Sequence, residues 1–215
     1  MKGCFITFEG TEGAGKSTQI LAVSKFLQQQ GLEVITTREP GGTALSEQIR
    51  GLLLDKSQKM SQMTELLLMF AARAEHLSQV ILPALQAGKW VLCDRFTESS
   101  YAYQGYGRGM PLENIAILEQ LVQGDLRPDC TFWFDIPILE GMKRVNRRGE
   151  QDRFEVENIA FFESIASGFQ ALSEQRPSQF YRIDATQSIE KVTAMIEEKL
   201  DQLIAMHAVK GIQGL

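Results

Sequence analysis

Residues 10–17 read "GTEGAGKS", and this motif determines the architecture expected for the whole chain. Its spacing, a glycine, four residues and then Gly-Lys-Ser, is that of a phosphate-binding loop. The strand-like run "CFITFE" (4–9) precedes it and the helical run "KSTQILAVSKFLQQQG" follows it, which is the context that the motif needs. In such a loop the backbone N–H groups and the helix N-terminus hold phosphate oxygens, Lys16 reaches the β- and γ-phosphates, and Ser17 binds Mg²⁺. We therefore expect a nucleoside triphosphate to bind Gly10, Thr11, Glu12, Gly13, Ala14, Gly15, Lys16, Ser17 and Thr18.

Composition narrows the class of protein. The chain has 215 residues, which suits one α/β domain covering 1–215. With 22 Lys and Arg against 27 Asp and Glu, its net charge of −5 argues against a general nucleic-acid binder. The three cysteines lie in apolar runs, which is typical of reduced thiols and indicates a cytoplasmic protein. The longest apolar run is too short to span a bilayer, so no membrane segment is predicted.

Strand-like and helical runs alternate along the chain. Five strands are predicted, over 4–9, 33–38, 90–95, 130–136 and 179–184. Among the helices, one is predicted over 61–87, kinked or ended by Pro83, and the last from Ser188 to Met206, followed by a frayed tail. This alternation predicts an α/β fold with a five-stranded parallel sheet and helices on both faces. Ligands of such sheets bind at the carboxyl ends of the strands.

The triphosphate is predicted to be ATP. The chain contains neither the Asn-Lys-x-Asp signature nor the Asp-x-x-Gly switch of GTPases. A nucleotide-dependent switch or binding module remains the alternative from another class of function. Multiple-turnover formation of ADP that requires a small-molecule acceptor would distinguish the two.

Four further motifs carry a family resemblance. They are "TREPGGT" (37–43), "LMFAAR" (68–73), "DRF" (94–96) and "YAYQG" (101–105). Together with the phosphate loop, and over nearly the whole chain, they resemble the thymidylate kinase family. The resemblance implies the P-loop nucleoside monophosphate kinase fold, Mg²⁺-dependent phosphorylation of dTMP by ATP, and a homodimer. Another pyrimidine nucleoside monophosphate kinase, such as one for uridylate, is the alternative enzyme.

Two strand-end arginines are expected to hold the acceptor phosphate. Arg38 and Arg95 follow neighbouring strands, and two guanidinium groups can grip one phosphate bidentately. Asp94 either orients Arg95 or holds Mg²⁺ through water. The resemblance also implies an acceptor-binding turn at Glu39 and Pro40 with a cis peptide bond.

The base pocket is expected to select thymine or uracil over cytosine. Arg73 can donate to the carbonyl at the 4-position, and Gln104 can accept from the ring N3–H. Phe70 is expected to stack on the ring, although the family aromatic usually stands one residue earlier, where this chain has Met69. The resemblance further implies that the acceptor sugar is lined by Tyr103, Ser99 and Ser100.

The segment "KRVNRRGEQDRFE" (143–155), termed the lid segment below, is either a solvated charge run or a mobile lid. The phosphate loop has no arginine of its own, so the resemblance implies that the lid segment supplies the catalytic ones. Arg148 is the leading candidate. Arg153 contacts either phosphate or acidic lid residues, and Arg144 lies against adenine.

Glu12 places a carboxylate in a loop built for anions. Because the loop binds phosphate through its backbone, we expect this side chain to face the acceptor and to act through the 3′-hydroxyl, a water or an arginine. The predicted catalytic set is Lys16, Arg95, Arg148, Arg153 and Glu12.

Overall fold

The computed structural model describes residues 3–149 and 152–213; the side chains of residues 148 and 209–213 are outside the description. Its strands are β1 (Phe5–Glu9), β2 (Val34–Arg38), β3 (Trp90–Asp94), β4 (Cys130–Asp135) and β5 (Phe180–Asp184). They form one five-stranded sheet in the order β2-β3-β1-β4-β5, and every pairing is parallel. The five predicted strands and the parallel sheet are confirmed.

Helices connect the strands. They are α1 (Lys16–Gln29), α2 (Ala44–Leu54), α3 (Gln62–His76), α4 (Leu82–Gln86), α5 (Thr97–Ser100), α6 (Leu112–Gln123), α7 (Ile138–Arg148), α8 (Ile159–Gln175) and α9 (Ile189–Gln213). Two π-helical segments, Leu77–Ile81 and Tyr101–Gly107, continue α3 and α5 respectively. In the described part of the chain, no helix has both the length and the apolar character needed to cross a membrane.

Helices cover both faces of the sheet because successive strand side chains point to opposite sides. On β1, Ile6 and Phe8 pack in one cluster with side chains of α1 and α9, such as Val23 and Ile196. Phe5, the residue before Ile6, packs on the other face with the segment around Leu77–Leu85. Almost every strand residue of β1, β3 and β4 is buried, which explains why these strands are nearly continuous apolar runs.

The predicted helix over 61–87 is three consecutive pieces. α3 ends at His76, a π-helical turn covers Leu77–Ile81, and α4 begins at Leu82 with Pro83 in its first turn. Pro83 lacks an N–H and is tolerated at the start of a helix, so the chain changes its hydrogen-bond register just before it.

The prediction that the last helix ends at Met206 is wrong. α9 continues to Gln213. Its last described turns pack on the sheet, where Leu203 is buried in the core and the His207 ring lies 5.5 Å from that of Trp90. These contacts extend the helix past the residues where the sequence loses its apolar pattern.

The strand register brings the polar strand ends together. Arg38 on β2 is level with Asp94 on β3, and Phe8, next to Glu9, is level with Asp94 on the other side. The phosphate loop therefore emerges from the centre of the sheet beside the β3 end, and a site at this edge can draw on both.

Candidate active site

The phosphate loop folds tightly where β1 enters α1. Gly10 has φ +132°, and a side chain there would collide with the carbonyl of Phe134 on β4. Gly15 has φ +88° and caps the N-terminus of α1. The loop carbonyls of Gly10 and Thr11 accept hydrogen bonds from Lys16 Nζ at 3.1 and 3.0 Å. The ammonium is therefore held inside the loop, beside the helix N-terminus where an anion binds.

The surroundings of Lys16 disfavour the charged form of its side chain. Its side chain is buried, and this burial together with the charge of Arg95 lowers the pKa of Lys16 to about 8, although Asp94 and Glu12 oppose the shift. A bound phosphate would favour the charged form of Lys16 again.

One cavity of about 840 Å³ lies along the phosphate loop. Ser17 and Asp94 both line it. Asp94 Oδ1 is buried and has no hydrogen-bond partner among the described residues, while Ser17 is exposed. An unpartnered carboxylate oxygen and a hydroxyl in one cavity are oxygen donors of the type that Mg²⁺ prefers, so the residues fit the predicted ion.

Arg95 is the residue that turns toward the loop. It has φ +68°, the only positive φ at a non-glycine residue in the described chain. Its Nη1 donates to Gly10 O at 2.8 Å and to Ser99 Oγ at 3.2 Å. Backbone strain of this kind costs free energy and persists where the surroundings hold it, commonly at functional sites.

Glu12 pairs with Arg95. Its Oε1 accepts from Arg95 Nη2 at 2.9 Å and from the Tyr103 hydroxyl at 2.6 Å. Burial raises the pKa of the Tyr103 phenol; the Glu12 carboxylate adds to this and Arg95 opposes it. Tyr103 therefore stays protonated and donates. The carboxylate of the phosphate loop is therefore hydrogen-bonded to Arg95 and Tyr103, two residues that the sequence analysis assigns to the acceptor side.

A second carboxylate supports this arrangement from below. Glu9 at the end of β1 is fully buried and accepts from the Phe96 N–H at 2.7 Å and from Ser99 Oγ at 2.5 Å. Burial and the nearby Glu98 raise the pKa of Glu9. These bonds fix the chain that follows Arg95.

A second cavity, of about 720 Å³, opens on the acceptor side. It contains most of the acceptor residues predicted from the sequence, namely Arg38, Glu39, Pro40, Arg73, Arg95, Ser99, Ser100, Tyr103 and Gln104. The two cavities share five lining residues, which are Glu12, Arg50, Asp94, Arg95 and Asp152. The donor and acceptor sides therefore meet at the Glu12–Arg95 pair.

Arg73 is prepared to donate one more hydrogen bond. Its Nε donates to Glu39 at 2.6 Å and its Nη2 to Ser100 Oγ at 3.0 Å. Nη1 is buried and finds no partner among the described residues, although Arg73 lines the acceptor cavity. A buried donor without a partner is costly, so this nitrogen is suited to an acceptor atom on a ligand.

A buried histidine completes the support of Glu39. His76 Nδ1 lies 3.0 Å from Glu39 Oε1, and its Nε2 lies 2.6 Å from Thr37 Oγ1. The peptide bond between Glu39 and Pro40 is cis, as the resemblance implies. This histidine holds the carboxylate that orients Arg73.

Phe70 is not where the sequence places it. It is buried in a core cluster away from the acceptor cavity, and Arg73 Cζ lies 4.5 Å from its ring centroid. Met69 lines the cavity instead. At about 100° per residue, Met69 lies about 40° from Arg73 around the axis of α3, whereas Phe70 lies about 60° from it on the other side. The predicted stacking role of Phe70 is wrong in this structure.

The lid segment belongs to two different secondary-structure elements. Its first part belongs to α7, which ends at Arg148, and residues 152–155 form a turn before α8. The side chain of Arg148, the leading catalytic candidate, lies outside the described residues. Arg144 Nη1 lies 3.4 Å from the carbonyls of Gly13 and Ala185, behind the phosphate loop.

Arg153 faces away from the phosphate loop. Its Nε donates to Leu53 O at 2.7 Å, and its Nη1 pairs with Glu65 at 2.7 Å. It is absent from the residues lining either cavity. The prediction that Arg153 contacts phosphate or acidic lid residues is therefore wrong for this conformation, because a buried carboxylate on α3 takes the guanidinium.

Several site residues were missed by the sequence reasoning. Arg50 lines both cavities and donates to Pro40 O at 2.9 Å, and Asp152 also lines both. Glu65 binds Gln104 Nε2 at 2.9 Å. A signal for Glu65 existed, because 65, 69 and 73 are spaced by four and share one face of α3. Arg50 and Asp152 sit in ordinary polar surroundings with no such signal.

Comparisons of this chain with a sequence profile, with related sequences and with a solved structure all point to the same protein family. A sequence profile described as thymidylate kinase matches residues 8–196. The thymidylate kinase of Alkalilimnicola ehrlichii is 54% identical over 201 residues, 93% of each chain, and that of Teredinibacter turnerae is 50% identical over 205 residues, 95% of this chain and all of the relative. The crystal structure of thymidylate kinase from Ehrlichia chaffeensis superposes with a TM-score of 0.76 at 34% identity, covering 93% of this chain and 99% of that one. The matched residues include the phosphate loop, both cavities and the lid segment.

Above pH 8, the binding of ATP should be accompanied by the uptake of a proton by Lys16. The pKa of Lys16 is about 8 without a phosphate, and a bound triphosphate raises it. The affinity for ATP is therefore highest below pH 8, where Lys16 is already protonated, and it falls as the pH rises above 8. The dissociation constant should increase by up to about tenfold per pH unit. Calorimetry between pH 7.5 and 9.5, in buffers of different ionisation enthalpy, measures both the affinity and the proton uptake.

The control is Lys16→Met, which should bind ATP weakly and without pH-dependent uptake. Burial also raises the pKa of Glu9 to about 8, and because Lys16→Met keeps Glu9, it separates the titration of Lys16 from that of Glu9. Equal affinity for ATP at pH 7.5 and 9.5 in the wild-type protein would contradict the assignment.

Proposed function

Because this chain belongs to the thymidylate kinase family and phosphorylates dTMP to dTDP in the synthesis of dTTP, we propose that it does so with ATP as donor, bound on the phosphate-loop side, and dTMP in the cavity beyond Arg95. The observation that carries the proposal is the meeting of the two cavities at Glu12, Arg50, Asp94, Arg95 and Asp152. A phosphoryl group passing between the cavities would cross this point.

Transfer needs positioning and charge more than covalent chemistry, because the acceptor phosphate is already a nucleophile. Lys16 and the loop amides hold the donor phosphates. Arg95 holds the acceptor phosphate, with Arg38 and Arg50 at the rim of the same cavity. Glu12 fixes the position of Arg95 through the 2.9 Å charge pair, so that the guanidinium is in place before either substrate binds.

Base recognition rests on two polar side chains. Arg73 uses its unpartnered Nη1 to donate to the carbonyl at position 4 of the pyrimidine. Gln104 donates its amide N–H to Glu65, which leaves Oε1 to accept from the ring N3–H. Cytosine reverses both groups and would leave buried polar atoms unpaired. Tyr103 packs against the sugar, and Met69, which lines the same cavity, contacts the base.

Ser17 and Asp94 would hold Mg²⁺, which supplies charge neutralisation between the phosphate oxygens when bound. Arg148, at the end of α7, would place its guanidinium over the transferred phosphoryl group when the lid segment closes. Arg144 lies beside Gly13 and Ala185, where the adenine of ATP would pass.

The protein is proposed to be a cytoplasmic homodimer. Its three cysteines are buried thiols without disulfides, as suits a reducing compartment. α3 and α6 pack against each other and expose an apolar stripe made of Met63, Leu67, Ile117 and Leu121, the last of which is 78% exposed. Apolar side chains spaced by four on two adjacent helices are typical of an interface, here with a second copy of the chain.

An acceptor panel tests the function. With ATP and Mg²⁺, multiple-turnover formation of ADP should be fastest with dTMP, slower with dUMP and UMP, and at least about a hundredfold less efficient with dCMP, because cytosine mispairs with Arg73 and Gln104. Preference for UMP would instead indicate a uridylate kinase. ADP formation that ignores every acceptor would support a nucleotide switch.

Glu12→Gln tests the role of the loop carboxylate. Amidation weakens a charge-assisted bond to Arg95, so kcat/KM for dTMP should fall about tenfold to a hundredfold while the KM for ATP stays unchanged. The loss should be equal with 3′-deoxy-dTMP, since the carboxylate acts through Arg95. The exposed residue Glu163, changed to Gln, is the control. Tighter ATP binding with normal dTMP kinetics would contradict the assignment.

Leu121→Glu tests the dimer. A charge at the centre of the α3–α6 stripe should convert a two-chain particle into a single chain, measured by sedimentation equilibrium. Leu139→Glu, at an exposed apolar position on α7, should leave the mass unchanged. A wild-type protein that sediments as one chain would rule out the homodimer.

A further inference from the structure

One buried carboxylate outside the two cavities is shared by the base pocket and the lid segment. Glu65, in the first turn of α3, is 2% exposed. Its Oε1 accepts from Gln104 Nε2 at 2.9 Å, and its Oε2 pairs with Arg153 Nη1 at 2.7 Å. Arg108 lies 3.4 Å from both oxygens. Two segments that are distant from α3 in sequence, one with Gln104 and Arg108 and the other with Arg153, therefore converge on this side chain.

The chemistry of this carboxylate fixes the orientation of Gln104. A primary amide has one accepting and one donating end, and either end could face the base. Each oxygen of Glu65 faces guanidinium N–H groups of Arg108 or Arg153, which can only donate, so both oxygens act as acceptors. The NH₂ group of Gln104 must therefore point at Glu65, and its carbonyl oxygen must point at the cavity that Gln104 lines.

Both arginines that contact the carboxylate are themselves held by other groups. Arg108 also donates to Glu157 at 2.5 Å, and its Cζ lies 4.6 Å from the Phe161 ring centroid. Arg153 also donates to Leu53 O at 2.7 Å. Because both guanidinium groups are fixed by further contacts, Glu65 has no freedom to rotate away from Gln104.

We propose that Glu65 is a positioning residue that determines pyrimidine specificity: it sets the hydrogen-bonding polarity of Gln104, and Arg153 of the lid segment holds the Glu65 carboxylate in this orientation. This inference rests on the proposed function, since it concerns which acceptor base is read. It assigns to Arg153 an indirect role in base selection in place of the phosphate contact that the sequence suggested.

The consequence is specific to one pair of acceptors. Thymine presents an N3–H donor to the Gln104 carbonyl, whereas cytosine presents a bare N3 acceptor. If residue 65 could also donate, Gln104 could turn over and offer its NH₂ to cytosine N3. The loss of Glu65 would then reduce the preference for dTMP over dCMP, and a residue that only stabilises the fold would lower both activities together.

The experiment compares wild type, Glu65→Gln, Gln104→Ala and the double variant in kcat and KM for dTMP and dCMP. Gln at 65 keeps the shape but can donate as well as accept. The ratio of kcat/KM for dTMP over dCMP should fall about tenfold or more in Glu65→Gln. In the Gln104→Ala background, Glu65→Gln should change this ratio no further, because there is no amide left to orient. Glu75→Gln, on the same helix, is the matched control and should match wild type.

An unchanged ratio in Glu65→Gln, or an equal fall of the ratio in both backgrounds, overturns the proposal. Arg153→Met provides a second route if Glu65→Gln does not fold, as judged by thermal melting. It should lower the ratio in the same direction by a smaller factor, and only when Gln104 is present; an unchanged ratio there also overturns the proposal. A wild-type protein that does not use dTMP would instead contradict the proposed function and would leave this ratio without meaning.

Discussion

The ion pair between Arg95 and Glu12 is the contact on which the site depends. It joins the end of β3 to the middle of the phosphate loop, and Arg95 extends the same connection to the Gly10 carbonyl and to Ser99. The guanidinium can reach these partners only because its backbone takes a left-handed conformation. Glu9, buried beneath, holds the chain on the far side of Arg95. Local strain is thus offset by a set of charge-assisted hydrogen bonds, and the result is a cation fixed between two cavities.

The same logic recurs around the acceptor cavity, where carboxylates orient cationic or amide donors. Glu39 orients Arg73 and is itself held by His76, and Glu65 orients Gln104 and is held by two arginines. Such side chains are costly to bury unless each polar atom is paired. The groups that remain for a ligand, the donor Nη1 of Arg73 and the acceptor Oε1 of Gln104, are therefore defined by what their neighbours have already taken. The specificity of this site therefore depends on Glu39 and Glu65, which do not read the base themselves but orient the residues that do.

The sequence predicted the fold and the principal site residues because their signals are local or periodic. The loop spacing, five apolar runs and the strand-end arginines depend only on neighbours along the chain. Phe70 was placed wrongly because one residue along a helix rotates a side chain by about 100°, so that Met69 faces the cavity instead. Arg153 was misplaced because its partner, Glu65, is distant in sequence. The length of α9 was underestimated because its end is held by packing on Trp90 and the core, which composition does not report.

The π-helical turn at Tyr101–Gly107 has a consequence for how this chain can vary. A π turn holds one more residue than an α turn in the same span, so it is equivalent to a single insertion in a regular helix. Deleting one residue here would restore α geometry and leave the flanking turns aligned, so that the side chains inside the segment would change the direction in which they face. Tyr103 and Gln104 lie inside the segment, and Arg108 directly follows it. The chain can therefore exchange residues in this stretch, but a change in its length would turn the sugar- and base-facing side chains out of register with Glu12 and Glu65.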